Sequence, residues 1–246
     1  MKKTHLLLAS VSIALALPAS SMAATLVNFE QGYTDNQLLT TPIGLLDSAG
    51  NASGVTLNAG AGTMSIEKSG SSDPTTGFVT DTIVPNDTDI DATADLGGYF
   101  LRTTGALNVN LQNFNPVFSL SFAGGASAIT GEIWDIDGTQ TLGTESWTLN
   151  AHTRSGGVLS LDSFVGSTNG TDTTTSLDGM AWKFSFDASG SDAITSLDFV
   201  FTGTKTTGIG VAFDNLTVAP VPLPAGGLLM LTALGAVAAL RRRKKS

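Results

Sequence analysis

The chain has no cysteine. That excludes disulfide stapling, a thiol nucleophile and a thiolate zinc site. Histidine is almost as scarce: His5 lies in the leader-like first segment, which leaves His152 as the one imidazole of the body. Most histidine-based triads and multi-histidine metal centres are excluded with it. Basic residues are missing from the middle of the chain. Of 12 Lys and Arg, seven sit at the ends, as Lys2, Lys3, Arg241, Arg242, Arg243, Lys244 and Lys245, whereas all 21 Asp and Glu fall between Glu30 and Asp214. The body therefore sets 5 basic groups against 21 acidic ones, a formal −16. Such a field repels phosphate backbones, so nucleic acid is not an expected partner. It suits solubility in a salty medium and the binding of divalent cations, although for any single carboxylate a solvated surface position is the default.

The two ends are built differently from the body. Lys2 and Lys3 precede an apolar run over residues 6–17, then Pro18 and small residues. Ser21-Met22-Ala23 places small side chains where a signal peptidase reads them, so residues 1–23 are expected to be a secretory signal cleaved after Ala23, with Ala24 as the alternative. A 12-residue apolar run is short for an uncleaved anchor. At the other end, Val221-Pro222-Leu223-Pro224-Ala225 leads into an apolar stretch over residues 226–240 and five consecutive cations. That stretch falls short of the ~20 residues of a permanent span. The cations are expected to stay on the cytoplasmic side, leaving the body across the membrane. The two prolines disfavour helix and present extended backbone beside the span.

This order of proline motif, short apolar helix and basic cluster resembles the VPLPA-type variant of PEP-CTERM sorting domains of Gram-negative bacteria. The resemblance covers residues 221–245 only. It implies that an exosortase, a multi-spanning membrane enzyme, recognises Val221, Pro222, Leu223, Pro224 and Ala225 as substrate. It also implies an association with exopolysaccharide and the extracellular matrix. A plain C-terminal membrane anchor is the alternative.

Between the ends, residues 24–219 are expected to form one all-β domain, an antiparallel β-sandwich of jelly-roll type, with residues 220–246 as the sorting tail. Phe118-Ser119-Leu120-Ser121-Phe122 and Trp182-Lys183-Phe184-Ser185-Phe186 alternate cleanly, and Leu197-Asp198-Phe199-Val200-Phe201 keeps its large apolar side chains on odd positions. Period-two alternation puts those side chains on one face of a sheet. Turn signals at Asp137-Gly138, Ser155-Gly156-Gly157, Asn169-Gly170, Asp178-Gly179 and Ser189-Gly190 separate the runs. Residues 51–62 and 70–77 read as loops, and residues 84–96 as an acidic loop. In the last strand, the apolar parity changes at Asp214-Asn215, which predicts a bulge there or a strand buried on both faces.

Four constellations carry potential chemistry. Phe29-Glu30 near the start and Phe213-Asp214-Asn215 near the end resemble the first and last strands of galactose-binding-like jelly rolls, including carbohydrate-binding modules. Carried over, that resemblance makes Glu30 and Asp214 ligands of a structural calcium, with backbone carbonyls completing its oxygen shell; two solvated carboxylates are the alternative. Asn86-Asp87-Thr88-Asp89-Ile90-Asp91 spaces carboxylates two apart but fails as an EF-hand, having Ala92 and Gly98 at the sixth and twelfth positions. Trp134-Asp135-Ile136-Asp137-Gly138 sets two acids beside a ring, as a glycosidase subsite requires, yet both read equally well as turn formers. Trp147 and Trp182 alternate with apolar neighbours and read as core. Lys183 and Arg154 read as edge or ion-pair residues, and His152 as a surface loop residue.

The expectation is thus a non-enzymatic surface or matrix protein, processed by an exosortase and linked to exopolysaccharide. A carbohydrate-binding module with structural calcium is the alternative, and a polysaccharide-active enzyme the third reading.

Overall fold

The computed structural model describes residues 23–60, 63–69, 96–104, 110–166, 177–188, 192–207, 209 and 212–221. The signal segment, Pro222 to Ala225 and the rest of the sorting tail, the acidic run from Asn86 to Asp91, and the turns at Asn169-Gly170 and Ser189-Gly190 lie outside them. Among the described residues no helix is long and apolar enough to cross a membrane.

The short alternating runs become strands, all paired antiparallel. In chain order they are β1 (Thr25–Val27), β2 (Gln37–Leu39), β3 (Ile43–Leu46), β4 (Ala52–Ala59), β5 (Thr63–Lys68), β6 (Tyr99–Thr104) and β7 (Phe118–Ile136). Then come β8 (Gly138–Thr139), β9 (Gly143–Thr144), β10 (Trp147–Thr153), β11 (Val158–Asp162), β12 (Leu177–Asp187), β13 (Ile194–Phe201) and β14 (Ala212–Pro220).

The 19-residue β7 organises the fold. Its first half pairs with β4 on one side and β13 on the other. Its second half pairs with β12 and β14. The first group continues through β13 to β10 and β11 and through β4 to β3; the second continues through β14 to β6, β5 and β2, with β1 also on β14. The change of partners falls at Gly124 and Gly125, both at φ +82, a backbone conformation that L side chains rarely adopt. Burial parity switches across the same bend: Phe118, Leu120 and Phe122 face inward before it, Ile129 and Ile133 after it. Arg154 Nη2 donates to the Gly124 carbonyl at 2.8 Å and holds the corner.

The two groups pack face to face, an arrangement consistent with a β-sandwich. Phe118 and Phe199 stack at 4.1 Å on one side. From the other, Phe213 meets Phe118 at 6.1 Å and Phe199 at 5.3 Å, and Phe184 meets Phe199 at 6.0 Å. Trp147 is fully buried and Trp182 packs against the core, as their alternation predicts.

The bulge expected in the last strand is present. The β14–β7 register shifts between Asp214 and Thr217, and Asn215 takes φ +52. Phe213 before it and Leu216 and Val218 after it all reach the core.

Three sequence expectations are corrected. Within residues 51–62 the chain forms β4, where Val55 and Leu57 are buried; their alternation outweighs the surrounding Gly, Ser and Asn. Asp178-Gly179 is not a turn between strands but lies inside β12, where pairing with β7 is irregular between Leu177 and Ala181. His152 is a residue of β10, held through Nε2 by Asp198 Oδ2 at 2.9 Å.

Candidate functional site

The outward face of β12, β7, β14 and β1 is polar, because the residues between the inward-facing ones on each strand turn away from the core. Pairing aligns these residues into rows. In one, Ser185 lies opposite Thr130, Thr130 opposite Thr217, and Thr217 opposite Leu26. In the next, Lys183 lies opposite Glu132 and Glu132 opposite Asp214. Glu132 is almost buried; its Oε1 stands 3.4 Å from Lys183 Nζ and its Oε2 accepts from Asn215 Nδ2 at 2.9 Å. The bulge at Asn215 turns this amide toward Glu132, so the feature that re-registers β14 also serves the row.

A cleft of about 870 Å³ lies over these rows. Beyond them, its walls include Asn28, Glu30, Gly97 and Gly98. Here the structure brings together the two residues expected at a shared site from opposite ends of the domain. Phe29 and Phe213 are buried and meet edge-on at 6.4 Å. Each ring fixes the carboxylate that follows it in sequence. Phe29 takes φ +56, two residues past the end of β1. Gly97, at φ +67, passes close to both acids: a methyl group there would collide with Glu30 Oε1 and lie 3.7 Å from Asp214 Oδ2. Glu30 Oε1 accepts the amides of Gly98 at 2.6 Å and Tyr99 at 3.1 Å, while Asp214 is fully buried.

The donor set fits calcium in kind. Carboxylate and amide oxygens are hard ligands, and Asn28, whose Oδ1 is buried with no hydrogen-bond partner among the described residues, lines the same cleft as Glu30. Backbone carbonyls would have to supply much of the remaining shell of ~6–8 oxygens, since the described residues contain no group of three or more His, Cys, Asp or Glu placed to hold a metal.

The other expected residues fall elsewhere. Ala23 is exposed, just before β1, and Val221 follows β14. Trp134 is buried in a separate cluster with Leu96, Phe100, Ala181 and Ala212, so it cannot stack on a sugar. Asp135 takes φ +64 at the end of β7, and Asp137 is ion-paired to Lys205. Among the described residues the exposed large apolar side chains are all aliphatic, with no aromatic platform. Sequence reasoning missed Glu132. Its only signal is that it directly precedes the inward Ile133 on a strand, which marks it as outward-facing.

Compared with known proteins, the chain matches no family model and no curated protein.

Proposed function

We propose that this is an exported, non-catalytic surface or matrix protein whose jelly-roll-like β-sandwich is an interaction module. Its Val221-Pro222-Leu223-Pro224-Ala225 segment is the recognition site of an exosortase, and its setting is exopolysaccharide. The geometric observation that carries the binding role is the polar cleft. Hydroxyls of Thr130, Ser185 and Thr217, the amide of Asn215 and the ammonium of Lys183 converge there, the kinds of group that hydrogen-bond hydroxylated polymers. The acids of the cleft are already occupied: Glu30 by two backbone amides, Glu132 by Lys183 and Asn215.

The reading includes a structural calcium held by Glu30 and Asp214. A cation bound only by the folded state raises stability by mass action, and here it also relieves the repulsion of an anionic domain.

Three measurements test the proposal. Intact mass of the native protein from cells and medium should show a terminus generated near Pro222 and Pro224; the full-length polypeptide as the only stable form would sink the sorting role. Binding of the purified protein to glycans extracted from its own matrix should saturate and weaken in Glu132→Ala. Equal binding by both proteins removes the cleft. Millimolar calcium at low salt should raise the melting temperature reversibly, and no shift removes the metal.

A further inference from the structure

Away from the cleft, three segments distant in sequence bring one amine and two carboxyls together. Asp137 follows β7, Glu145 lies between β9 and β10, and Lys205 lies beyond β13. Lys205 Nζ stands 2.8 Å from Asp137 Oδ1 and 2.8 Å from Glu145 Oε1. The Lys205 side chain is 6% exposed, that of Glu145 0%, and that of Asp137 27%. Glu145 Oε2 is buried with no hydrogen-bond partner among the described residues.

Backbone contacts hold the three in place. The Glu145 amide donates to the Asp137 carbonyl at 2.8 Å, and the Gly166 amide donates to the Glu145 carbonyl at 2.7 Å. A methyl group on Gly166 would collide with the Asp137 carbonyl, and one on Gly203 with that of Thr144. A buried ion cluster is a poor stabilising device, because desolvation offsets much of its attraction. Its geometry also holds an amine in contact with a carboxyl, and a second carboxyl in contact with that amine.

We propose that Lys205 and Asp137 condense to an intramolecular amide, with Glu145 carrying the protons. The Lys205 ammonium passes one proton to the Asp137 carboxylate it touches, and its freed nitrogen attacks Asp137 Cγ, which is no farther than one C–O bond beyond that oxygen. The N–Cγ bond forms. Glu145 gives its proton to the departing hydroxyl and takes one from the nitrogen, and the Cγ–O bond breaks. One ammonium and one carboxylate become one amide and one water, and Glu145 ends as it began.

Glu145 suits that role. Burial, and then the charge of Asp137, push its carboxyl up to about 8 against the attraction of Lys205, so near neutral pH it holds a proton that it can give to the departing oxygen. Fixing the partners in contact replaces a bimolecular encounter and removes much of the entropic barrier to such a condensation. The partial exposure of Asp137 gives the water a way out. The bond would tie the end of β7 to the segment after β13, a covalent closure in a chain that has no cysteine to provide one.

The test is mass spectrometry of the folded protein. After allowance for its termini, the mass should fall one water below that of the sequence, and proteolysis should release a branched peptide joining Lys205 to Asp137. Lys205→Arg should restore the full mass. Glu145→Gln should do so while retaining a cooperative melt. Full mass in the folded wild type overturns the proposal, as does a branch to Glu145. A bond that still forms at the wild-type rate in Glu145→Gln overturns the proton-carrier role. Should Lys205→Arg fail to fold, the branched peptide of the wild type decides alone.

Discussion

Phe213 is where the two packed strand groups and the candidate calcium site depend on one side chain. It is fully buried and meets Phe29 at 6.4 Å, Phe118 at 6.1 Å, Phe184 at 6.3 Å and Phe199 at 5.3 Å. Truncating a buried Phe to Ala costs ~3–5 kcal/mol through lost transfer energy and the cavity left behind. Aromatic pairs add ~0.5–1.5 kcal/mol each beyond area burial, and Phe213 makes four, so Phe213→Ala belongs near the upper end. Against a total of ~5–15 kcal/mol, that removes a third or more of the stability. At ~2–4 °C per kcal/mol for a domain of this size, the melting temperature should fall by roughly 10–20 °C. Denaturant unfolding gives the free energy directly, and Phe213→Leu supplies a smaller step should the alanine variant not fold. Leu38→Ala, at a position 62% exposed, is the control and should stay within ~0.5 kcal/mol of wild type. A loss at Phe213 below ~2 kcal/mol would refute the role of this ring as the hub of the core, because a side chain packed against four others cannot be that replaceable.

Asn215 sits at φ +52, so Asn215→Ala should be less stable than Asn215→Gly by about 1 kcal/mol, both having lost the bond to Glu132; urea unfolding in the reverse order would show that the bulge is not held in that conformation. Gly97→Ala puts a methyl onto Glu30 Oε1 at φ +67 and should cost ~1–3 kcal/mol while abolishing any calcium-induced rise in melting temperature; an undiminished rise would separate the metal from this corner. The Glu145 carboxyl is raised from its ordinary 4.5 to about 8 in the folded state, first by burial. The folded protein therefore keeps a proton that the unfolded chain releases, and stability from this group is full below about 4.5 and lost as pH rises toward 8, by at most ~1.4 kcal/mol per pH unit. Glu145→Gln should lack that slope whatever its offset, and parallel stability curves for the two proteins would refute the assignment.

What the sequence made legible was whatever local alternation encodes. Phe118 to Phe122, Trp182 to Phe186 and Leu197 to Phe201 form strands with the faces their parity requires, and the flip at Asp214-Asn215 is a bulge. β4 was hidden because two apolar residues among Gly, Ser, Thr and Asn carry little period-two signal until β3 and β7 pair with them on either side. Asp178-Gly179 misled for the converse reason: a sequence suited to a turn is accommodated as an irregularity within β12, opposite β7. Glu30 and Asp214 were legible as a pair because each follows a phenylalanine at one end of the domain. Lys205, Asp137 and Glu145 were not, because three loop positions converge only through the topology of β7, β10 and β13. The alternation of a strand records its facing, but nothing local records which loops share an end of the sheet.

The scarcity of cations acquires a structural meaning once their partners are known. Of the five basic residues in the body, Arg102 pairs with Glu67 at 3.1 Å in a buried contact between β5 and β6, and Lys183 pairs with Glu132 across β12 and β7. Lys205 joins Asp137 and Glu145, and Arg154 holds the carbonyl at the β7 bend. Four of the five are thus committed to joints of the sheet, and little positive charge remains to neutralise the carboxylates elsewhere. A strongly acidic polymer approaching such a surface meets net repulsion. On the proposed reading, a neutral polysaccharide escapes that repulsion and is offered hydroxyls and an amide in the cleft, whereas an acidic one calls for a bridging cation. The calcium and polysaccharide readings are therefore linked by charge as well as by position, since Glu30 is a wall of the cleft and a candidate ligand at once.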